Sequence, residues 1–190
     1  MTIFDLLFLF LALVTIVALV AAAALAAVGH ARRAIALLGW LAGGIACYLT
    51  VVAAVGALTP QRYARMGEAL CSDDWCLAVT SARRTQGSSA ATWEVSLRLS
   101  SRALRVTQRE LGVSVYLVDT AGTHFLPLPA TIPLDTALGP GESVIAPRQF
   151  TVPSRAQVAG LVVARPRFPG CCIIGDEGSL LHRRTIVRLD

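Results

Sequence analysis

The sequence predicts two parts in series: an N-terminal two-helix transmembrane hairpin over residues 1–58, then an all-β, immunoglobulin-like antiparallel sandwich over residues 59–190. Three observations carry that expectation. Two long apolar runs, Ile3 to Val28 and Ala34 to Leu58, exceed the roughly 20 residues that cross a hydrocarbon core about 30 Å thick. The short basic link Gly29-His30-Ala31-Arg32-Arg33 joins them, which leaves room only for an antiparallel pair. After Thr59 the apolar residues recur with a period of two, and turn residues break the pattern at short intervals.

The first run does not read as a secretory signal. A signal has a basic start and an apolar stretch of about 7 to 15 residues, whereas this start is not basic and the run is far longer. It is expected to remain as an anchor. Apart from Asp5, neither run contains an acidic or basic residue. Small residues mark where the helices are expected to pack: Ala21 to Ala27 on the first, and Gly39, Gly43 and Gly44 on the second. Gly39 and Gly43 have the small-xxx-small spacing that lets helix backbones approach closely. The bulkier Phe4, Leu7, Phe8 and Phe10 end offers a surface to lipid or to a partner helix.

Intramembrane ionisable groups mark most transport pathways. The polar residues deep in these runs are only Thr15, Cys47, Tyr48 and Thr50, so transport by this chain alone is not expected. With no His inside either run, the usual imidazole ligand for an intramembrane haem or chlorophyll is missing, and no cofactor is expected. Orientation follows from Arg32 and Arg33, which place the link 29–33 in the cytoplasm and both chain ends outside. Arg62 and Arg65 pull the other way, but they open a folded domain, which translocates largely regardless of charge. The expected location is the bacterial inner membrane, with the C-terminal domain in the periplasm.

Within that domain, Trp93 to Leu99, Gly112 to Leu117, Gln149 to Val152 and Thr185 to Leu189 alternate as strands. Leu161 to Ala164 is a continuous apolar run, the mark of a buried strand. Breaks fall at Gln86 to Ser89, Asp119 to Gly122, Gly139 to Glu142 and Phe168 to Gly170, and Ser154 to Val158 has a helical-turn pattern. About seven short strands at this spacing define the sandwich expectation.

Leu138-Gly139-Pro140-Gly141-Glu142-Ser143, followed by Gln149-Phe150-Thr151-Val152-Pro153, resembles a hairpin of membrane-anchored bacterial domains grouped as DUF4352-like, immunoglobulin-like extracytoplasmic proteins. Leu70 to Val79 and Ile173 to Asp176, with His182 and Thr185 to Val187, are similar to the same group. The resemblance implies a fold and a location; the group brings no activity with it.

Cys47 lies inside the second run and reads as a packing residue. Cys71, Cys76, Cys171 and Cys172 all fall in the domain placed outside, where an even number argues for disulfides. Four cysteines allow three pairings. Cys71 with Cys76 closes a tight loop and leaves Cys171 with Cys172 as a vicinal pair. Crossed pairings would close a long loop, worth about 4 kcal/mol in the chain-entropy model. The spacing and the resemblance together favour Cys71 with Cys76. Cys71, Cys76, Asp73, Asp74, His124 and His182 also include metal-ligand types, but their spacing matches no zinc knuckle or redox motif.

No nucleophile elbow, His-Glu-x-x-His motif or phosphate loop is present, and catalysis is not expected. His124 and His182 read as ordinary strand-end residues, and Asp176 as a turn acid. The charge is distinctive: all 17 basic residues are Arg, with no Lys, and the net charge is +5. Arg is enriched at protein interfaces. Arg62, Tyr63 and Arg65, with the doublets Arg83-Arg84 and Arg183-Arg184, form the candidate interface. Anionic lipid headgroups are the simplest partner for the group nearest the second run; nucleic acid is not expected outside a membrane.

The reading is a non-catalytic accessory subunit of a larger inner-membrane complex of respiratory or photosynthetic type, its partners being membrane lipids and other integral subunits. A free-standing sensor or ligand-binding module, gripping through loops such as Phe125 to Pro133, is the alternative. A periplasmic metal- or thiol-handling protein is the second.

Overall fold

A computed structural model describes residues 3–166 and 170–189. The Phe168-Pro169 part of one expected break lies outside them. The chain divides into two compact units: Met1–Pro60 with Arg167–Arg183, and Gln61–Pro166 with Arg184–Asp190. Residues 170–183 thus cluster with the helices, although sequence reading assigns the whole of 59–190 to the sandwich.

In the helical unit, α1 spans Ile3–Ala27 and α2 spans Ala31–Leu58. Both are long and apolar enough to cross a membrane. The link is shorter than expected, because Arg32 and Arg33 form the first turn of α2. Gly29 makes the tight turn possible. It adopts φ 80°, its N–H donates to Ala26 and that of His30 donates to Leu25. This is a Schellman ending, which needs a residue free to enter the left-handed region.

The covered side of α1 runs through Phe8, Leu11, Thr15, Ala18, Ala22 and Leu25, and that of α2 through Ala34, Leu37, Leu41, Tyr48, Val52 and Gly56. The α1 row steps by three or four residues, and the α2 row does the same apart from one step of seven, two helical turns, between Leu41 and Tyr48. Of the small residues expected to pack on α1, Ala22 is buried on the α1 row, whereas Ala21, Ala23, Ala24, Ala26 and Ala27 are exposed. Gly39, Gly43 and Gly44 of α2 are also exposed, and a Cβ at any of them meets nothing within 4 Å. The α2 row passes from Leu37 to Leu41 and then to Tyr48 without them, which corrects their assignment as packing residues within this chain.

The second unit is a β-sandwich. Its described strands are β1 Tyr63–Ala64, β2 Ala69–Ser72, β3 Trp75–Gln86, β4 Ala90–Ser101, β5 Ser114–Asp119, β6 His124–Phe125, β7 Ser143–Pro153, β8 Val158–Ala164 and β9 Ile186–Val187. One sheet has the order β1-β9-β8-β5-β6 and the other β2-β3-β4-β7. All pairs are antiparallel except β1 with β9, which is parallel. This departs from the fully antiparallel expectation, which suits strands joined by short hairpins; β1 and β9 are not consecutive in the chain, so no hairpin constrains their pairing.

The core follows from alternation. Val95, Leu97 and Leu99 of β4 and Ala146, Phe150 and Val152 of β7 face inward, meeting Val115, Leu117, Leu161 and Val163 of the other sheet. Leu161 to Ala164 is buried on both faces, as its unbroken apolar run predicts. Ser154 to Val158 forms a turn leading into β8. Trp75, Leu77 and Val79 extend the core along β3, a strand that sequence reading does not delimit.

One inward position of β7 is an arginine. Arg148 is only 5% exposed and donates to the carbonyls of Pro147 at 2.7 Å and Ile132 at 2.6 Å. Burial lowers its pKa, and these carbonyls replace the water its guanidinium loses. It thereby fixes the segment after β6 onto β7.

Gly160 sits where β8 and β9 lie closest. A Cβ there would strike the Val187 carbonyl oxygen and the Ile186 side chain. Gly160→Ala is expected to lower the stability of the sandwich by about 1–3 kcal/mol. Chemical denaturation of the full chain in detergent, read by tryptophan fluorescence, measures this.

Candidate functional site

The densest arrangement of polar and reactive groups in the helical unit lies where residues 170–183 meet α2. Tyr48, Val52 and Gly56 recur every four residues and so share one face of α2. Val52 is fully buried. The Tyr48 hydroxyl donates to the Cys172 carbonyl at 2.7 Å. At Gly56 the approach is closest: a Cβ would strike the Leu180 carbonyl oxygen and stand 3.0 Å from the His182 nitrogen. Only glycine lets the two backbones pass.

The segment is tied to itself before it is tied to α2. Ile173 N–H donates to Gly170, Ser179 N–H to Asp176, His182 N–H to Ser179, and Leu180 N–H to the Cys171 carbonyl at 3.2 Å. Asp176 is the turn acid that sequence reading expects: its Oδ1 accepts the Gly178 N–H at 2.6 Å. A Cβ at Gly170 would collide with that carboxylate. Leu181 adopts φ 62°, a conformation that costs a branched-chain residue about 1–3 kcal/mol. Its neighbours Leu180 and His182 are the two that face Gly56. Ser179 Oγ and His182 Nδ1 are buried without a hydrogen-bond partner.

Cys171 and Cys172 occupy a short 3-10 turn, Gly170–Cys172. Both are free thiols, partly exposed, with their sulfurs 3.2 Å apart. The hydrogen bond to Cys171, followed by burial and the charge Cys171 can carry, raises the Cys172 thiol above its ordinary pKa.

Cys71 and Cys76 form a disulfide between directly opposed residues of β2 and β3. Asp73, at φ 48°, turns the hairpin, and the Asp74 carbonyl receives the Arg102 N–H at 2.7 Å. This bond removes both sulfurs from the suggested metal-ligand set. Among the described residues no three of His, Cys, Asp and Glu group as a metal site. His124 stacks near Tyr116, ring centres 4.3 Å apart.

The candidate interface residues are divided between the two sheets of the sandwich and the helical unit. Arg62 pairs with Glu68 at 2.7 Å, while Arg188 lies 4.8 Å over the Tyr63 ring. The Arg65 N–H also donates to Glu68, at 3.2 Å. Arg83 and Arg84 belong to the other sheet: Arg83 is opposite Glu94 and Arg84 lies over Trp93 at 6.0 Å. Arg183 belongs to the helical unit and Arg184 to the sandwich, where the Arg184 carbonyl accepts a hydrogen bond from Gln61. Sequence reading missed Gly56, Glu68, Leu180 and Arg188. The four-residue spacing of Tyr48, Val52 and Gly56 was the available signal for the first.

No family model matches the chain, and neither does any curated protein. Among solved structures it is similar to an uncharacterized β-sandwich protein from Clostridium difficile 630, at 9% identity over 70% of this chain and 96% of that one, with a TM-score of 0.45. The DUF4352-like resemblance therefore gains no support as a family assignment. What stands is two apolar helices followed by a β-sandwich.

Tyr48→Phe removes the hydroxyl donor and keeps the ring. It is expected to cost about 1 kcal/mol and to raise protease cleavage within 170–183, read by limited proteolysis with mass spectrometry.

The Glu68 carboxyl lies below its ordinary pKa, held first by the Arg65 N–H and then by Arg62. Its contribution is complete above the ordinary carboxylate range and is lost as pH falls through the lowered value. Arg62→Ala should move that titration only part of the way up, because the N–H remains; carboxylate NMR against pH tests it.

Proposed function

We propose that this protein is a non-catalytic accessory subunit of a larger bacterial inner-membrane complex. Its helices span the bilayer as a hairpin, and its sandwich, of immunoglobulin-like type, stands on the periplasmic side. The observation that carries this reading is the uncovered face of α2. Gly39, Gly43 and Gly44 offer close backbone approach with nothing among the described residues meeting them, and Trp40 beside them is 83% exposed. Such a face suits a neighbouring subunit's helix, since small residues allow the dispersion contacts that replace the absent hydrophobic drive in lipid.

Orientation has its own support. Cations at a helix N-terminus oppose the helix dipole, yet Arg32 and Arg33 sit in the first turn of α2, where no acid accompanies them. Helix stability does not call for them, whereas a cytoplasmic loop does. A second reading, a ligand-binding module, draws on the loop after β6. Arg148 and the Leu128 N–H, which donates to Gln149, hold it in place, and it exposes Leu126 and Leu128.

Gentle extraction from native membranes, with mass spectrometry of what co-purifies, separates the two readings. Stoichiometric recovery with integral subunits supports the first, and a lone particle supports the second. Gly43→Leu provides the specific control: it should lower recovery of partners several-fold while leaving the chain's own melting curve unchanged, because a side chain there meets open space.

A further inference from the structure

We propose that Cys171 and Cys172 form a reactive dithiol that is oxidised to a vicinal disulfide by exchange with a disulfide substrate, and that closing this ring releases the hydrogen bond joining the two halves of the 170–183 segment.

The compartment follows from the chain itself. Cys71–Cys76 is a disulfide in the sandwich, and structural disulfides persist where conditions are oxidising. The 170–183 segment begins after β8 and ends before β9. It carries Asp176, Glu177, His182 and Arg183 and has no run long enough to cross a membrane. The segment therefore lies on the same side as the sandwich, and Cys171 and Cys172 are free thiols in this structure. Their sulfurs are already in contact at 3.2 Å, both are partly exposed, and adjacent residues cannot diffuse apart. A bond requires the sulfurs to close to about 2.05 Å.

The exchange balances without a metal or cofactor. The Cys171 thiolate attacks one sulfur of the substrate disulfide, forming a mixed disulfide and expelling one substrate thiolate. The Cys172 thiol, whose pKa the contact with Cys171 raises, loses its proton to solvent in the second step. Its sulfur then attacks that of Cys171 and expels the second substrate thiolate. Two thiols lose two electrons, the substrate disulfide gains them, and the departing thiolates take up the two protons.

Ring closure acts on a particular hydrogen bond. The ring includes the peptide between Cys171 and Cys172, and the carbonyl of that peptide accepts the Leu180 N–H at 3.2 Å. The Cys172 carbonyl, which Tyr48 holds at 2.7 Å, lies outside the ring. Oxidation thus reorients the tie to Leu180 and leaves the tie to Tyr48. Leu180 is also the residue whose carbonyl lies against Gly56, so the released part is the part that rests on α2.

The test uses the full chain in detergent with Cys47→Ser, which removes the remaining free thiol, and oxidised glutathione as the disulfide probe. Intact mass should show the loss of two hydrogens and the disappearance of both alkylatable thiols, reversed by a reducing agent. Cys172→Ser should instead accumulate a stable glutathione adduct on Cys171. Hydrogen exchange at the Leu180 amide should rise about fivefold to tenfold on oxidation, the change expected from losing one hydrogen bond, while exchange in the core of α2 stays constant. Separate glutathione adducts on both cysteines of the Cys47→Ser chain, or a closed ring that leaves Leu180 protected, would overturn the proposal.

Discussion

The arrangement depends on one close approach, that of α2 at Gly56 to the backbone of Leu180 and His182. Two backbones can come this near only where one of them lacks a side chain. Because they do, a stretch lying between two strands of the sandwich folds as part of the helical unit. Tyr48 then has a carbonyl to bind, and the thiol pair is held in a fixed turn beside it. The same excursion makes the chain enter the sandwich twice, and each entry opens with a strand, β1 and β9, which pair with one another.

The sandwich rests on more general physics. Strict alternation along β4 and β7 delivers one continuous core, and the exceptions to it are local and satisfied. Arg148 occupies an inward position without a carboxylate, its hydrogen bonds supplied by backbone carbonyls. Thr80 marks an irregularity in the pairing of β3 with β4. Beyond it β3 turns from buried to exposed. The Cys71–Cys76 bond fixes a hairpin whose turn carbonyl in turn receives the Arg102 N–H.

The helices and the strands with clean period-two alternation were legible, because burial on one face imprints itself directly on residue type. The buried run Leu161 to Ala164 was legible for the same reason. β3 was obscured because its first half is buried on both faces and its second half on neither, which erases alternation. The packing of Gly39, Gly43 and Gly44 was misread because small-residue spacing marks a face fit for close contact without saying which helix fills it. The docking of 170–183 was illegible for a deeper reason. Its partners are backbone atoms, Leu180 O and Cys172 O, and backbone atoms are the same whatever the residue. The trace in composition lies on the α2 side alone, in the row Tyr48, Val52 and Gly56.

The bond between Tyr48 and Cys172 spans 124 positions of the chain, and this bears on biogenesis. On a ribosome, α2 is complete long before its covering segment exists. The row Tyr48, Val52 and Gly56 therefore waits without that segment while the whole of β1 to β8 is synthesised. Contacts this distant in sequence form late, since the loop-closure entropy of the intervening chain must be met first. The helical unit, first to be made, is thus among the last to be finished, and its completion reports that β1 to β8 have already been made.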